Sequence, residues 1–378
     1  MKNNIFLILQ KIMTTIKPSL TFNSEIILLD NIIRVSSRIA VIGHNNPDGD
    51  SVGSATAMCS YLKGRGKNCR AILPSTIPGS LCFLDPESEI LYHSVKDGAI
   101  GFSATPEEAV QAINDADLII CLDLNSPNRT EGLESPLRQA GCKKVLIDHH
   151  PAPEEDFFDL VFSDTGTSSA CELLFRILMG MPDIDGDISK MNRSVATSLA
   201  TGMITDTNNF SNSVVPSTFR MASLLLERGI DLEDIYMRVF GSYSEMRMKL
   251  MGKMLSEMLI DRDSHSACMV LTRKIQKQFG FRPGDSEGFV NLGLRMADVE
   301  VSALFTEEKD RIRVSLRSKG IVSVNRLSRL FFNGGGHEKA SGGRLGIPVS
   351  QVREYWLSSI KEFIRNEGIN FEGMNSEK

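Results

Sequence analysis

Four short segments of this chain carry histidines and aspartates at spacings that could bind metal ions. The first runs from His44 to Asp50 (HNNPDGD) and holds an imidazole and two carboxylates, with Asp48 as the middle candidate ligand. A proline and a glycine within it bend the chain so that these side chains can converge. Carboxylates combined with one or two imidazoles favour a hard, oxygen-preferring divalent ion. The alternative is a polar turn in which Asp50 or Ser51 caps a helix that begins near Val52.

Asp123 is the second candidate, and it ends the apolar run LIICL over residues 118–122. Burying a carboxylate at the end of such a strand costs several kcal/mol unless a cation or strong hydrogen-bond donors compensate. A metal ion that bridges two sites would supply this compensation. The alternatives are an ion pair with nearby Arg129 or a simple turn at the end of the strand.

Asp148, His149 and His150 form the third segment, which follows the apolar run VLI and precedes a proline. An imidazole here can bind a metal while a carboxylate orients it, because ligating imidazoles usually donate their second N–H to a carboxylate or carbonyl. A pair of histidines in a surface turn is the alternative. The fourth segment, TGMITDT, places Asp206 at the end of a helix predicted to begin near Ser194. Alone, this last carboxylate would mean little.

A glycine-rich segment, Asn333–Gly346, lies late in the chain and has the three glycines Gly334–Gly336 directly before His337. Glycines let backbone N–H groups approach a phosphate, and a helix starting after them would add its positive dipole end. A flexible turn is the alternative for this segment. The two histidines outside all these segments, His93 and His265, are predicted to lie at the surface.

Hydropathy patterns predict the elements that must position these residues. Continuous apolar strands separated by helices indicate an α/β domain with a parallel sheet covered on both faces. Candidate ligands stand at the C-terminal ends of three of the strands, which is the edge where open α/β sheets bind ligands. The strands predicted from short apolar runs are Arg38–Gly43, Cys69–Leu73, Asp117–Asp123, Lys143–Asp148 and Asp159–Phe162.

The length of 378 residues favours two domains, since one hydrophobic core rarely grows so far. We expect an N-terminal domain over residues 23–240, a helical linker over 241–262 within a helix spanning Ile235–Ile260, and a smaller α/β domain over 263–372. Residues 1–22, with an apolar stretch over 5–13, are read as a weakly ordered extension. The strands predicted for the smaller domain are Ala267–Thr272, Val299–Thr306 and Arg311–Ser318, the last with Ile312, Val314 and Leu316 on one face and Arg311, Arg313, Ser315 and Arg317 on the other.

Composition and charge narrow the classes of function. Hydrophobic residues make up 42% and charged residues 24%, and no run approaches the ~18 apolar residues of a membrane-spanning helix. The seven cysteines include no Cys-x-x-Cys pair, which suits reduced thiols in the cytoplasm. A net charge of -5 argues against wrapping long duplex DNA. A short anionic substrate in a local basic pocket remains compatible with this charge.

Taken together, these segments resemble the DHH phosphoesterase family, and the C-terminal motif is similar to its DHHA1 substrate-binding domain. The similarity covers roughly residues 23–370. Within the family, the compact two-domain architecture is similar to nanoRNases that also act as 3′-phosphoadenosine-5′-phosphate phosphatases. The matching motifs are HxxPDxD from His44 to Asp50, Asp123, Asp148-His149-His150, Asp206, SLRS from Ser315 to Ser318 and GGGHxxASG from Gly334 to Gly342.

The resemblance implies a site with two divalent ions, manganese with magnesium or cobalt as alternatives, and a role for each motif residue. Asp123 would bridge the two ions, His150 would face the reacting phosphate, and Asp148 would support the site from behind the ligands. The ligands of one ion would be His44, Asp48 and Asp123, and those of the other Asp50, Asp123, His149 and Asp206. The residues that bind a second phosphate or the terminal nucleotide of the substrate would be Arg317, Gly335, Gly336 and His337.

The activity that the resemblance implies is hydrolysis of short single-stranded oligoribonucleotides to 5′-mononucleotides. Removal of the 3′-phosphate of 3′-phosphoadenosine-5′-phosphate is expected too, both through water activated by two metal ions. No membrane partner is expected, and a homodimer is left open. One alternative is a phosphodiesterase for cyclic or linear dinucleotides, or another phosphohydrolase of the family. The other is a nucleotide-binding regulator without catalysis, which predicts a missing ligand although every expected ligand position is occupied.

Overall fold

The computed structural model describes residues 22–95, 102–241, 243–282 and 284–371. The apolar stretch over residues 5–13, predicted to be weakly ordered, lies outside this described part. The chain divides into two compact units, one that ends at Ser242 and one that begins at Tyr243. Within the described ranges, none of the helices combines the length and the apolar composition that a bilayer crossing requires.

The first unit is built on a six-stranded, wholly parallel sheet in the order β3-β2-β1-β4-β5-β6, which confirms the predicted fold class. Its strands are β1 (Arg38–Ile42), β2 (Asn68–Ser75), β3 (Leu91–Ser94), β4 (Leu118–Leu122), β5 (Lys143–Asp148) and β6 (Leu160–Ser163). Its helices are α1 (Asn23–Val35), α2 (Gly49–Gly64), α3 (Pro106–Asn114), α4 (Glu134–Gln139), α5 (Ala170–Gly180), α6 (Arg193–Asp206), α7 (Pro216–Glu227) and α8 (Leu232–Phe240).

Helices cover both faces of this sheet, which explains why its central strands are apolar throughout. All five residues of β4 are buried. Ile120 packs into the core formed with α1, α2, α5 and α6, whereas Ile119 packs into a second core that includes Ile113 of α3 and Leu137 of α4. A strand with both faces covered has no side on which polar residues would be tolerated, so the polar residues of this unit collect at the strand ends.

The chain order of the sheet reverses between β1 and β4. Loops that leave two neighbouring strands in opposite directions open a crevice at the C-terminal edge, and ligands of open α/β sheets bind there. His44 follows β1 after one glycine, and Asp123 follows β4 directly. Two of the predicted metal ligands therefore lie at the one point of the sheet where its topology creates a crevice.

Helices α2 and α6 cross at glycines, and this close approach positions two further candidate ligands. A Cβ on Gly53 would lie 2.6 Å from the backbone oxygen of Ser198 and 3.0 Å from the nitrogen of Gly202. A Cβ on Gly202 would lie 2.8 Å from Oδ1 of Asp50. The absence of side chains at this crossing lets the first turn of α2 and the last turn of α6, which ends at Asp206, come together.

The second unit holds a six-stranded mixed sheet in the order β11-β12-β10-β9-β8-β7, in which only β8 and β9 run parallel. Its strands are β7 (Leu259–Asp261), β8 (Ser266–Leu271), β9 (Val301–Glu307), β10 (Ile312–Ser318), β11 (Gly335–Gly336) and β12 (Ala340–Leu345). Its helices are α9 (Glu245–Ser256), α10 (Arg273–Gln278), α11 (Val324–Phe331) and α12 (Val352–Glu367).

One sequence-based expectation about this region is wrong, and one condition that would have favoured phosphate binding is not met. The single helix expected over Ile235–Ile260 is two helices and a strand, because α8 ends at Phe240 and the side chain of Ser244 caps the start of α9. No helix follows the three glycines either, since Gly335–Gly336 and β12 pair as antiparallel strands. Any phosphate binding at this motif therefore has to come from strand backbone and side chains, without a helix dipole.

The close crossing of α2 and α6 predicts that a glycine-to-alanine substitution there destabilises the fold, although such a substitution inside a helix is normally stabilising. Replacing a glycine inside a helix by alanine normally stabilises by about 0.5–1 kcal/mol. Gly53→Ala should instead lower the free energy of unfolding by about 1–3 kcal/mol, because its methyl would clash with backbone atoms of α6. Urea unfolding of the full chain, followed by circular dichroism, measures the change.

Gly252 in α9 supplies the matched control, since nothing lies within 4 Å of a Cβ built there. Gly252→Ala should therefore leave stability unchanged or raise it by up to about 1 kcal/mol. A Gly53→Ala variant as stable as the wild type would mean that α2 and α6 do not depend on this close approach.

Candidate metal centre

The C-terminal ends of β1, β4 and β5 bring the predicted histidines and aspartates together. Three sets of side chains each have ligand atoms within 4.8 Å of one another. These sets are His44, Asp48 and Asp123; Asp50, His149 and Asp206; and Asp123, His149 and His150. All six residues that the sequence assigned to metal binding are present in these sets, together with His150.

The carboxylate of Asp123 lies between the first two sets. Its Oδ2 is 3.3 Å from Nε2 of His44, and its Oδ1 is 3.6 Å from Nε2 of His149. The residue is 2% exposed and adopts the left-handed backbone conformation, with φ 58°. Aspartate and asparagine tolerate this conformation better than most residues. The turn directs one oxygen toward each set, as a bridging ligand requires.

His44 and Asp48 complete the first set. The ring Nδ1 of His44 lies 2.8 Å from the backbone oxygen of Asn45, which leaves Nε2 directed at Asp123 and at Oδ1 of Asp48, 3.8 Å away. A backbone oxygen can only accept, so this contact fixes the proton on Nδ1 and leaves the Nε2 lone pair for a cation. Helix capping occurs as well, but by Asp48 at the start of α2, and neither Asp50 nor Ser51 is the cap.

Asp50, His149 and Asp206 form the second set. Nε2 of His149 lies 3.8 Å from Oδ2 of Asp50 and 3.7 Å from Oδ2 of Asp206. The carboxylate of Asp50 is held rigidly, since it accepts hydrogen bonds from the backbone N–H groups of Ala170 at 2.6 Å and Cys171 at 2.9 Å. These N–H groups belong to the first turn of α5, whose dipole favours a negative charge there.

The buried carboxylate of Asp148 orients His150 and not His149. Its Oδ1 lies 2.8 Å from Nδ1 of His150, and its Oδ2 accepts the backbone N–H of the same residue at 3.1 Å. Sequence reasoning missed the neighbour of this ring, Arg129. The Nη1 of Arg129 lies 3.2 Å from Nε2 of His150 and 3.3 Å from the backbone oxygen of Asp123. Arg129 was considered only as an alternative ion-pair partner of the Asp123 carboxylate, and it bonds to the backbone oxygen of that residue instead.

The site contains more carboxylates than imidazoles, and their mutual contacts shift the pKa values of both. Burial, with repulsion from nearby carboxylates, raises the pKa of Asp50 to about 7 and that of Asp206 to about 8. Burial disfavours the charged imidazole of His44, yet its contacts with Asp123 and Asp48 raise its pKa to about 10. The pKa of Asp123 is held well below its usual range, despite burial, by His149 and His44.

The donor set fits divalent cations. Among the residues that the structure describes, no lysine or arginine forms an ion pair with the carboxylates of Asp48, Asp50, Asp123 or Asp206, so only imidazolium ions offset their charge. Divalent ions would supply the missing positive charge and leave the imidazoles neutral, which is the form that binds metals. The first two sets each combine carboxylate oxygens with one imidazole, which suits a divalent cation that prefers oxygen ligands.

In the second unit, Arg317 lies on the polar face of β10, as the alternation of its strand predicted. Its guanidinium is largely buried, and burial lowers its pKa. The guanidinium donates to the backbone oxygen of Leu316 at 3.0 Å and forms no ion pair with the described residues. His337 is exposed in the turn between β11 and β12. Gly336 has φ 142°, a value that residues with a side chain rarely adopt.

Known families match both units. Residues 38–203 match the DHH family, N-terminal domain, and residues 267–366 match the DHHA1 domain. The first match begins at β1 and ends within α6, and so contains every residue of the three ligand sets except Asp206. The second contains Arg317 and the glycine-rich motif.

Individual relatives agree with these matches. The bifunctional oligoribonuclease and PAP phosphatase NrnA of Thermus thermophilus is 27% identical over 337 residues, 88% of this chain and 92% of that protein. The cyclic-di-AMP phosphodiesterase GdpP of Bacillus subtilis is 28% identical, but the match spans only 49% of its length. A crystal structure of an exopolyphosphatase-related protein from Bacteroides fragilis is 33% identical, with a TM-score of 0.84 over 91% of this chain and 97% of that one. The chain therefore belongs to the DHH family and is a hydrolase that acts on phosphoric ester bonds.

Proposed function

We propose that this phosphoesterase hydrolyses short oligoribonucleotides to 5′-mononucleotides and removes the 3′-phosphate of 3′-phosphoadenosine-5′-phosphate. The observation that carries the proposal is the position of Asp123, which belongs to the set with His44 and Asp48 and lies 3.6 Å from His149 of the second set, in a chain that aligns with NrnA over nearly the full length of both proteins. No serine or cysteine nucleophile is needed, because water can be the attacking group.

The two sets, joined through the contact between Asp123 and His149, support an assignment of ligands. His44, Asp48 and Asp123 would hold one divalent ion, and the ligands of the other would be Asp50, Asp123, His149 and Asp206. Bound at these positions, manganese, magnesium or cobalt would lower the pKa of water and neutralise charge that develops on phosphorus. Asp50 and Asp123 are 1% and 2% exposed, so the protein keeps their carboxylates in place before any ion or substrate arrives.

The side chains of His150 and Arg129 would contact the substrate directly. Asp148 accepts a hydrogen bond from Nδ1–H of His150, and the other ring nitrogen lies beside the guanidinium of Arg129. A guanidinium binds two phosphate oxygens at once and so fixes orientation as well as charge. We assign Arg129 to the reacting phosphate, and His150 to the departing oxygen, to which the Nε2–H of its doubly protonated ring would donate while Nδ1–H stays bonded to Asp148.

The second unit would bind another phosphate or the terminal nucleotide through Arg317, Gly335, Gly336 and His337. A largely buried guanidinium without an ion pair among the described residues favours an anionic ligand. Gly335 supports the same assignment. A Cβ there would meet nothing closer than 3.6 Å, and its φ is not positive, so the fold does not demand a glycine at this position. A backbone left bare without a structural need suits close approach by a ligand.

A second candidate is hydrolysis of cyclic dinucleotides, favoured by the similar identity to GdpP of Bacillus subtilis and to the cyclic-di-AMP phosphodiesterase PdeA of Listeria monocytogenes. The chain spans about half the length of both proteins, 49% and 50%. It spans 92% of NrnA from Thermus thermophilus, and this difference in shared length favours the first candidate.

A substrate panel tests the proposal. With manganese present, we expect a linear diribonucleotide and 3′-phosphoadenosine-5′-phosphate to be hydrolysed with higher kcat/KM than cyclic di-AMP or inorganic polyphosphate. Product analysis by ion-exchange chromatography should show 5′-mononucleotides from the first and adenosine 5′-phosphate from the second. Preferential cleavage of cyclic di-AMP would favour the second candidate. Failure to hydrolyse any of these phosphate esters would favour the alternative of a nucleotide-binding regulator without catalysis.

Asp123→Asn tests the shared ligand. Asparagine tolerates the left-handed conformation of this residue, so the variant removes charge without adding backbone strain. We expect kcat to fall by more than about 100-fold, since losing both ions removes stabilisation worth at least about 3 kcal/mol. Calorimetric titration should show fewer bound manganese ions. Asp156→Asn, an exposed aspartate of the same unit, should bind metal and turn over normally. Two bound ions in Asp123→Asn would refute the bridging role.

Gly335→Ala tests the glycine motif apart from the fold. Its methyl meets only ordinary contacts, so thermal stability should stay within about 1 kcal/mol of the wild type. KM for the diribonucleotide should rise roughly 10- to 100-fold, because a displacement near 1 Å costs binding and positioning. Gly346→Ala, with nothing within 4 Å of its Cβ, is the matched control and should retain wild-type kinetics. Equal KM values for the two variants would exclude Gly335 from the substrate site.

A further inference from the structure

One face of the second sheet carries Arg313 and Arg317 on β10. Apolar side chains cover this face over β8 and β9, and the part nearer β12 is open to solvent. On β8 and β9 this face carries Met269 and Leu304, which pack against Leu250 of α9. On β10 the same face carries Arg313 and Arg317, while the alternate residues of the strand lie in the core on the opposite face. The cover therefore ends along β10, where Arg317 is still partly buried and Arg313 is exposed.

The open part of this face contains a shallow, solvent-open cavity of about 470 Å³. Two arginines, a serine and an asparagine supply its polar side chains, three glycines leave backbone exposed in its wall, and no carboxylate lines it. The lining residues are Arg313, Val314, Ser315, Asn333, Gly334, Gly342, Gly343 and Arg344. A concave wall with positive charge and hydrogen-bond donors fits an anion.

The two arginines face each other across neighbouring antiparallel strands. Arg313 on β10 is the direct partner of Arg344 on β12, and like charges in this position destabilise a sheet unless something offsets them. Glu308 offers only one carboxylate, which Arg313 shares with Arg311 at 3.3 and 2.6 Å respectively. Arg344 is exposed and forms no ion pair with the described residues. The pair therefore retains positive charge that an anionic ligand would offset.

We propose that this cavity binds a backbone phosphate of a single-stranded oligonucleotide, separate from the phosphate that Arg317 binds. The inference rests on the proposed function. Arg313 precedes Arg317 by four residues on the same face, which corresponds to roughly 13 Å at the rise of a β-strand. An extended strand covers this distance in about two nucleotide steps, and cationic grooves follow single strands in this way.

The cavity acts as a sensor of substrate length. A diribonucleotide and 3′-phosphoadenosine-5′-phosphate do not extend from Arg317 to the arginine pair, whereas a tetranucleotide does. Contacts to phosphate carry no base information, so the gain in affinity is independent of sequence. Arg313 and Arg344 therefore set how much more tightly the enzyme holds the longer members of its substrate class.

Arg344→Gln, compared with Arg365→Gln, tests the cavity in the full-length chain. Arg365 is exposed on α12, a helix packed against the opposite face of the sheet, so its variant carries the same charge change elsewhere in the unit. Binding of fluorescein-labelled tetra-adenylate is measured by fluorescence anisotropy in EDTA, where no hydrolysis occurs. We expect Arg344→Gln to bind the tetranucleotide about 5- to 20-fold more weakly, as for one lost charge-assisted contact. The slope of log Kd against log salt should become shallower by about 0.7.

Diadenylate separates this cavity from the site at Arg317. Its affinity, and its kcat/KM with manganese present, should differ less than about twofold between Arg344→Gln and the wild type, and Arg344→Lys should restore most of the tetranucleotide affinity. Equal weakening for both lengths would assign Arg344 to the first phosphate and overturn the proposal. Unchanged tetranucleotide binding would overturn it too while leaving the proposed function intact. A wild-type chain that neither binds nor cleaves RNA would overturn both.

Discussion

The need to neutralise buried carboxylates governs the first unit. Asp50 and Asp123 are almost fully buried beside Asp48 and Asp206, and no lysine or arginine among the described residues forms an ion pair with them. Such a group of anions is stable only with positive charge among them. The imidazoles supply that charge in the isolated chain, and divalent cations would supply it in the working enzyme. The unit is therefore built to concentrate negative charge where a cation can enter.

The backbone conformation holds these carboxylates close together despite their mutual repulsion. The reversal of strand order between β1 and β4 opens the crevice, and the left-handed turn at Asp123 aims its carboxylate into it. Glycines at the crossing of α2 and α6 let the carboxylates of two helices approach, and the first turn of α5 holds Asp50 by its N–H groups. Each of these features belongs to the backbone, so the side chains proposed as metal ligands need not also stabilise the fold.

Sequence reasoning reached the parallel sheet and the edge where the site lies, because a strand buried on both faces leaves a long apolar run that ends abruptly at a polar residue. Strand β5 was predicted with its observed bounds, Lys143–Asp148. Strands β11 and β12 were missed, since glycines carry no hydropathy signal, and β3 is too short to show an alternation. The contact of Arg129 with His150 was not predicted, because distance in the sequence says nothing of where a guanidinium points. The roles of the individual site residues stay predictions.

The distribution of the ligand sets along the chain has a consequence for biosynthesis. The first set, from β1, the start of α2 and the end of β4, is fully present in the chain once residue 123 has been made. The second set depends on Asp206, the last residue of α6. The ribosome adds this residue 83 positions after Asp123. Domains generally fold in order of synthesis. A nascent chain therefore passes through a stage in which Asp50 and Asp123 are present without the full complement of ligands, and the unit is completed only when α6 docks against α2.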